Sequence, residues 1–205
     1  MTDSIYDQLN AYGTVAKQRF VENFSGSALD TDRWNLSGGG TAVMQNSVDG
    51  GLLIQSTTGS NNKTSINFNN INQYSHTGCV LIAVARQSNT TWYTGNVGMS
   101  NTAVNFATDI AEFETNNPFN TYVKARSADA STASATDTVM QSDQTWKNMK
   151  MELTSSNILY TSNGVLDVTK TTNRPTASLQ PEVGAQQGSS KVGDQQIRYM
   201  ECYNT

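Results

Sequence analysis

An alternation of apolar and polar residues with a period of two runs through most of this chain and constrains its fold more than any other feature. Met149, Met151 and Leu153 are separated by polar residues, which is typical of a strand with one buried face. Residues 79–85 form a nearly continuous apolar run that suits a buried strand. The pattern therefore predicts an all-β protein.

Turn residues separate these runs. Asn163-Gly164 lies between two strand-like segments and predicts a tight hairpin, because both residue types tolerate a positive φ. Residues 197–203 alternate again, with Ile197, Tyr199 and Tyr203 expected on one face of a closing strand. The tract 127–138, rich in Ala, Ser and Thr, is predicted to be an exposed loop. Together these signals favour one antiparallel, two-sheet β-sandwich domain spanning residues 20–205.

The segment before this domain has a different pattern. Ile5, Leu9 and Tyr12 recur at helical spacing, and Ser4 with Asp7 resembles a capping box. We expect residues 1–19 to form a short helical or extended N-terminal arm. The arm packs either on its own sandwich or on another subunit, and the sequence leaves both alternatives open.

Composition and charge exclude several classes of function. Charged residues make up only 15% of the 205 residues, the net charge is −4, and no Lys/Arg cluster is present, so nucleic-acid binding is not expected. Ser, Thr, Asn and Gln together account for about two-fifths of the chain and solvate most of its surface. No apolar run is long enough to span a membrane, and the first residues lack the pattern of a signal peptide.

The cysteines and the single histidine restrict the chemistry further. Cys79 and Cys202 match no metal-ligand spacing and are expected to be small core residues, although a disulfide between them stays open. His76 lies in a polar stretch and is expected in a solvated turn. Asp30 and Asp32 alone are too few for a calcium loop. We therefore expect no metal and no cofactor.

Two segments near the start of the predicted domain resemble the concanavalin A-like lectin/glucanase superfamily. Residues 20–35 read FVENFSGSALDTDRWN and residues 50–55 read GGLLIQ, similar to the segments that begin successive strands in that superfamily. The resemblance implies a jelly roll of two curved antiparallel sheets, with Trp34 and Trp146 packed in its core. It says little about activity, because this fold carries lectins, glycosidases and structural modules.

The enzymatic branch of this superfamily carries a Glu-x-Asp-x-(x)-Glu strand whose carboxylates act as nucleophile, helper and acid/base. The nearest match is residues 109–114, where Glu112 and Glu114 would share one face and Asp109 would point to the other. Two carboxylates thus stand where the resemblance implies three. Although such neighbours can approach catalytic separation, we expect solvated carboxylates and predict that the chain is not an enzyme.

An aromatic pair completes the candidate binding residues. Trp92 and Tyr93 lie in a polar stretch and are costly to leave in water, so we expect them to contact a sugar, a neighbouring subunit or their own loop. With Ile5, Leu9 and Tyr12 of the arm, they are the candidate partner-binding residues. These features favour a structural protein of a virus or phage particle.

In this hypothesis the chain is a capsid decoration or cement subunit, located in the virion. It binds capsid or other virion proteins, or assembles with copies of itself, through protein–protein contacts. The alternative is a carbohydrate-binding, lectin-like module that recognises a glycan. A β-glucanase-type glycoside hydrolase is the least favoured alternative.

Overall fold

Strands account for all the regular structure in the part of the chain that the computed structural model describes, residues 19–45, 50–58, 62–87, 93–102, 109–117, 121–129, 132–187 and 192–205. They are β1 (Arg19–Glu22), β2 (Asn35–Gly38), β3 (Thr41–Met44), β4 (Leu52–Gln55), β5 (Lys63–Asn67), β6 (Cys79–Gln87), β7 (Tyr93–Ser100), β8 (Ile110–Asn117), β9 (Tyr122–Asp129), β10 (Thr132–Gln141), β11 (Lys147–Leu153), β12 (Ile158–Ser162), β13 (Val165–Lys170), β14 (Gln180–Gln187) and β15 (Asp194–Asn204). Within these ranges no helix is long and apolar enough to cross a membrane. The predicted all-β class is confirmed.

Two antiparallel sheets form a sandwich. The first sheet has the order β13-β12-β11-β6-β15-β4-β3, with β1 also paired to β15. The second sheet has the order β10-β9-β8-β7-β14-β5-β2. In this second sheet β14 lies between β5 and β7, so residues far apart in the sequence become direct neighbours.

The core lies between the sheets and is built by the inward-facing residues of each strand. Met149 and Met151 of β11 are buried in the same cluster as Phe113 of β8 and Val183 of β14. Because successive side chains point to opposite faces of a sheet, Glu112 and Glu182, which neighbour these core residues, lie on the face turned away from the core. The hydrophobic pattern therefore determines which polar residues collect on that outer face.

An aromatic cluster closes one part of the core around Trp34, whose side chain is almost fully buried. Its ring lies 5.6 Å from that of Phe20, 5.5 Å from that of Phe24 and 5.8 Å from that of Phe68, measured between centroids. The indole N–H donates a 3.3 Å hydrogen bond to Oε2 of Glu22. The expectation that Trp34 packs in the core is confirmed.

Trp146, in contrast, is not a core residue, and the expectation for it is wrong. It immediately precedes Lys147, whose partner in the β11–β6 ladder is the core residue Ala85, so the tryptophan is directed to the outer face of the first sheet. There the guanidinium carbons of Arg86 and Arg198 lie over its ring, 4.5 Å and 4.6 Å from the ring centroid.

The Asn-Gly hairpin is confirmed, since Asn163 and Gly164 have φ values of 50° and 88° and connect β12 to β13. The prediction of an exposed loop at 127–138 is wrong. This tract spans the end of β9 and most of β10, which pair with each other. As the edge strand of its sheet, β10 is held mainly by backbone hydrogen bonds and needs few apolar side chains.

The closing strand is confirmed as β15, but its faces differ from the predicted alternation. A register shift between Ile197 and Tyr199 places Ile197, Met200 and Cys202 together in the core. Tyr199 therefore does not share the face of Ile197, because the extra residue of a β-bulge reverses the alternation beyond it.

Cys79 and Cys202 are both buried core residues with free thiols, which resolves the open question of a disulfide. Burial raises the pKa of Cys79 to about 12 and also raises the pKa of Cys202. Since the thiolate is the reactive form, we expect neither thiol of the native protein to react with a disulfide reagent within minutes at about pH 8. Both should react at once in denaturant. Rapid labelling of the native protein would contradict this burial.

The arm and the domain boundary stay predictions. Residues 1–18 lie outside the described residues, and β1 begins at Arg19. Nothing in the structure therefore bears on the proposed packing of Ile5, Leu9 and Tyr12.

Candidate active site

Two rows of polar side chains cross the outer face of the second sheet. Strand register aligns Arg126, Glu112, Gly98, Glu182 and Asn67 across β9, β8, β7, β14 and β5. The next row aligns Lys124, Glu114, Asn96, Gly184 and Ser65 across the same strands. Three carboxyl groups and two basic groups thus meet on a face that the core pattern leaves to polar residues.

Glu112 is the best-anchored acid of this face. Its side chain is only 2% exposed, and its Oε1 accepts a 2.7 Å hydrogen bond from Nη1 of Arg126. The same Nη1 lies 3.3 Å from Oε2 of Glu114. The guanidinium thus gives Glu112 a charge-assisted hydrogen bond at a nearly buried position. The sequence-based expectation of a solvated pair is wrong for Glu112.

Glu114 has a different environment on the same strand. Its side chain is 16% exposed. Burial and the neighbouring carboxylate of Glu112 raise its pKa, against the opposing effect of Arg126 and Lys124. The expected shared face of Glu112 and Glu114 is borne out by their register partners, Arg126 and Lys124, on β9. Both acids therefore project beside basic residues and not into open solvent.

Asp109 does not join this group. It precedes β8, and its Oδ1 accepts a 2.7 Å hydrogen bond from the backbone N–H of Thr176. Its other oxygen accepts a 3.1 Å hydrogen bond from Nδ2 of Asn101. These contacts give Asp109 the role of tying two loops together.

Glu182 of β14 is a carboxyl group that sequence reasoning missed. It is fully buried and lies across Gly98 from Glu112. Burial raises its pKa, and the ammonium group of Lys63 opposes that rise. Burial also lowers the pKa of Lys63, to about 8, although Glu182 and Glu112 act to raise it. The only sequence signal was the alternation of Glu182 with the core residues Val183 and Ala185, which marks a face but not a function.

Several polar atoms of this face have no hydrogen-bond partner among the described residues. They include Oε2 of Glu112, Oε1 of Glu182 and Nδ2 of Asn96, all buried. A buried polar atom without a partner costs about 1–3 kcal/mol. The hydrogen-bonding capacity of these atoms is unused among the described residues.

The aromatic candidates contribute little to this description. Trp92 lies outside the described residues, and for Tyr93 only its backbone, at the start of β7, is described. Among the described residues, no group of three or more His, Cys, Asp or Glu side chains is arranged to hold a metal ion. The expected contacts of Trp92 and Tyr93 stay predictions.

No protein-family model and no curated protein matches this sequence. The fold, in contrast, is similar to many solved structures. A β-glucanase from Bacillus licheniformis has a TM-score of 0.65 at 11% identity, covering 91% of this chain and 98% of that chain. The Crh5 transglycosylase in complex with NAG has a TM-score of 0.65 at 12% identity, covering 91% of this chain and 84% of that chain. A protein of unknown function from Shewanella oneidensis MR-1 has a TM-score of 0.65 at 14% identity, with 98% and 94% covered.

These structures support the predicted jelly-roll sandwich of the concanavalin A-like type. They also contradict the prediction that the chain is not an enzyme, because a β-glucanase, a transglycosylase and glycoside hydrolase family proteins share its fold. That prediction relied on counting carboxylates along one strand. The count missed Glu182, which reaches the same face from another strand.

Proposed function

We propose that this chain acts on carbohydrate and breaks a glycosidic bond on the outer face of its second sheet. The observation that carries the proposal is the convergence of three carboxyl groups there: Glu112 is bonded to Arg126, and burial raises the pKa of Glu114 and of Glu182. Glycoside hydrolysis needs such a pair, one carboxyl to donate a proton and one carboxylate to attack or to activate water.

Glu112 is the group that we assign to attack the sugar or to activate water. Its 2.7 Å bond to Arg126 holds the carboxylate in place, while its Oε2 has no partner among the described residues and can face a substrate. Glu112 and Glu182 are both buried. Glu114 and Arg126, 16% and 25% exposed, mark the accessible side of the site.

The test is an assay on a panel of β-linked glucans with the wild-type protein and the variants Glu112→Gln and Glu114→Gln. We expect cleavage by the wild-type protein and a loss of about 100-fold or more in kcat for Glu112→Gln, the range for removing a group that acts on a proton or a bond. Glu152→Gln is the matched control, because Glu152 pairs with Lys150 on β11, in the other sheet.

Two results would contradict the proposal. One is full activity in Glu112→Gln. Thermal unfolding of every variant, measured in parallel, shows whether each variant is folded. The other is a wild-type protein that binds a glucan but leaves it intact, which would favour the lectin-like alternative.

The particle-protein hypothesis receives no support from the structural neighbours. Its candidate residues Ile5, Leu9, Tyr12 and Trp92 lie outside the described residues. Binding to capsid proteins and a location in the virion therefore stay predictions from the sequence.

A further inference from the structure

We propose that Arg86, Trp146 and Arg198 form a second binding site, which takes an oxyanion group, a carboxylate or a sulfate, of an acidic polysaccharide. The three side chains come from β6, from the residue before β11 and from β15, and they meet on the outer face of the first sheet. Glu112 lies on the other sheet, on the opposite side of the sandwich. The inference goes beyond the proposed function, because this site binds and breaks no bond.

Trp146 gathers two positive charges at one place. The guanidinium carbons of Arg86 and Arg198 lie 4.5 Å and 4.6 Å from the centroid of its half-buried ring. A guanidinium carries several N–H donors, and its contact with a ring face does not depend on a hydrogen bond from any of them. The ring therefore holds both cations while their donors can still bind an anion.

A β-bulge brings the second charge to the ring. The register of β15 on β6 shifts between Ile197 and Tyr199, so Arg198 is the extra residue of the bulge. The chain entering β4 lies directly against it, since a Cβ atom at Gly51 would be 2.5 Å from the backbone oxygen of Ile197. Bulges redirect side chains and are frequent beside functional sites. Here the bulge adds Arg198 to a face that already carries Arg86.

The donors of this cluster are only partly used. The guanidinium of Arg198 is exposed and makes no hydrogen bond or ion pair within the part of the chain that the structure describes. Nε1 of Trp146, another donor, is buried and also has no partner there. Arg86 is oriented by a 2.9 Å hydrogen bond from its Nε to Oε1 of Gln196. One arginine is thus fixed in place, and the other is open to a ligand.

The carboxylates on the same face leave the charge of Arg198 unbalanced. Glu201 is bonded to Arg19 at 2.9 Å, and Glu152 pairs with Lys150 at 3.0 Å. Asp194 accepts a 3.1 Å hydrogen bond from a glutamine of β4. Among the described residues none of these acids forms an ion pair with Arg198. An anion bound at the cluster would supply the missing negative charge.

The charge distribution favours an acidic polysaccharide over a nucleic acid. The chain has 13 basic and 17 acidic residues, so a continuous row of phosphates would meet a protein of net charge −4. A single pair of arginines is suited to one oxyanion, because a guanidinium can donate parallel N–H bonds to a carboxylate or a sulfate. The apolar part of the half-buried indole can contact the C–H groups of the sugar that carries it.

The test is calorimetric titration of the full-length protein with polygalacturonate, dextran sulfate and neutral dextran at an ionic strength of about 0.05 M, where screening is weak. We expect binding to at least one acidic polymer and none to dextran, and the tighter polymer identifies carboxylate or sulfate as the group bound. Arg198→Met should weaken this binding at least about tenfold, the range for a hydrogen bond to a charged group. Arg198→Gln is a second variant, used if the first does not fold.

Two further variants separate this cluster from general charge. Lys150→Met is the matched control, because it removes the same charge from the same face, and it should change the affinity less than about twofold. Trp146→Ala keeps both arginines but removes the ring that holds them, and it should weaken binding about threefold or more. Thermal unfolding of each variant shows whether it is folded.

Three results would overturn this site. The first is no binding of either acidic polymer by the wild-type protein. The second is an equal loss of affinity in Lys150→Met and Arg198→Met, and the third is equally tight binding of single-stranded DNA, which would indicate general attraction to polyanions. A protein that binds an acidic polymer through Arg198 but cleaves no glucan would contradict the proposed function and leave this site in place.

Discussion

Replacing Arg126 with methionine is expected to lower the free energy of unfolding by about 3 kcal/mol or more, because it leaves a buried carboxylate without its counter-charge. The Glu112 side chain is 2% exposed and receives its 2.7 Å hydrogen bond from this guanidinium. Methionine keeps much of the apolar stem of arginine, so the measured loss of stability reports the removal of the charge. Chemical denaturation of both proteins at neutral pH measures the difference.

A double-mutant cycle identifies the cause of that loss. Glu112→Gln removes the charge that Arg126 balances, so the Arg126→Met substitution should cost at least about 1 kcal/mol less in a Glu112→Gln background. Glu114, whose Oε2 is 3.3 Å from the same nitrogen, limits the rescue because it also loses a partner. Equal costs in both backgrounds would show that Arg126 stabilises the sheet by packing and not by its charge.

The second large effect is expected for Trp34→Ala, which should lower the free energy of unfolding by about 3–5 kcal/mol. The substitution removes a 1% exposed indole from among Phe20, Phe24 and Phe68 and leaves a cavity that three aromatic rings cannot fill by small shifts. It also removes the indole donor to Glu22. The measurement is the midpoint and slope of denaturant unfolding.

Trp146→Ala is the matched control, since it deletes the same side chain from the outer face of the other sheet. There the ring contacts Arg86 and Arg198, and each such cation–π contact is worth about 0.5–1 kcal/mol. We therefore expect a smaller loss than for Trp34→Ala. A loss as large as that of Trp34→Ala would contradict the difference in burial between the two tryptophans.

The sequence by itself determined the fold class and many of the strands, because the period-two pattern and the turn residues act locally. Residues 79–85 became part of β6, and Asn163-Gly164 became the predicted hairpin. The same local reasoning failed for residues 127–138, because an edge strand is stabilised by its neighbour's backbone and needs no apolar pattern of its own. It also failed for Tyr199, since a β-bulge leaves no clear mark in the sequence.

Only the tertiary structure decided the composition of the candidate site. Alternation along β8 was enough to place Glu112 and Glu114 on one face, but burial and ion pairing depend on what the neighbouring strands contribute. Glu182 is separated from Glu112 by 70 positions in the sequence and by one strand in the sheet. The physical reason is that strands pair through backbone hydrogen bonds, which nearly every residue type can form. The distance between two strands along the sequence therefore does not predict that β14 and β8 lie on either side of the same strand.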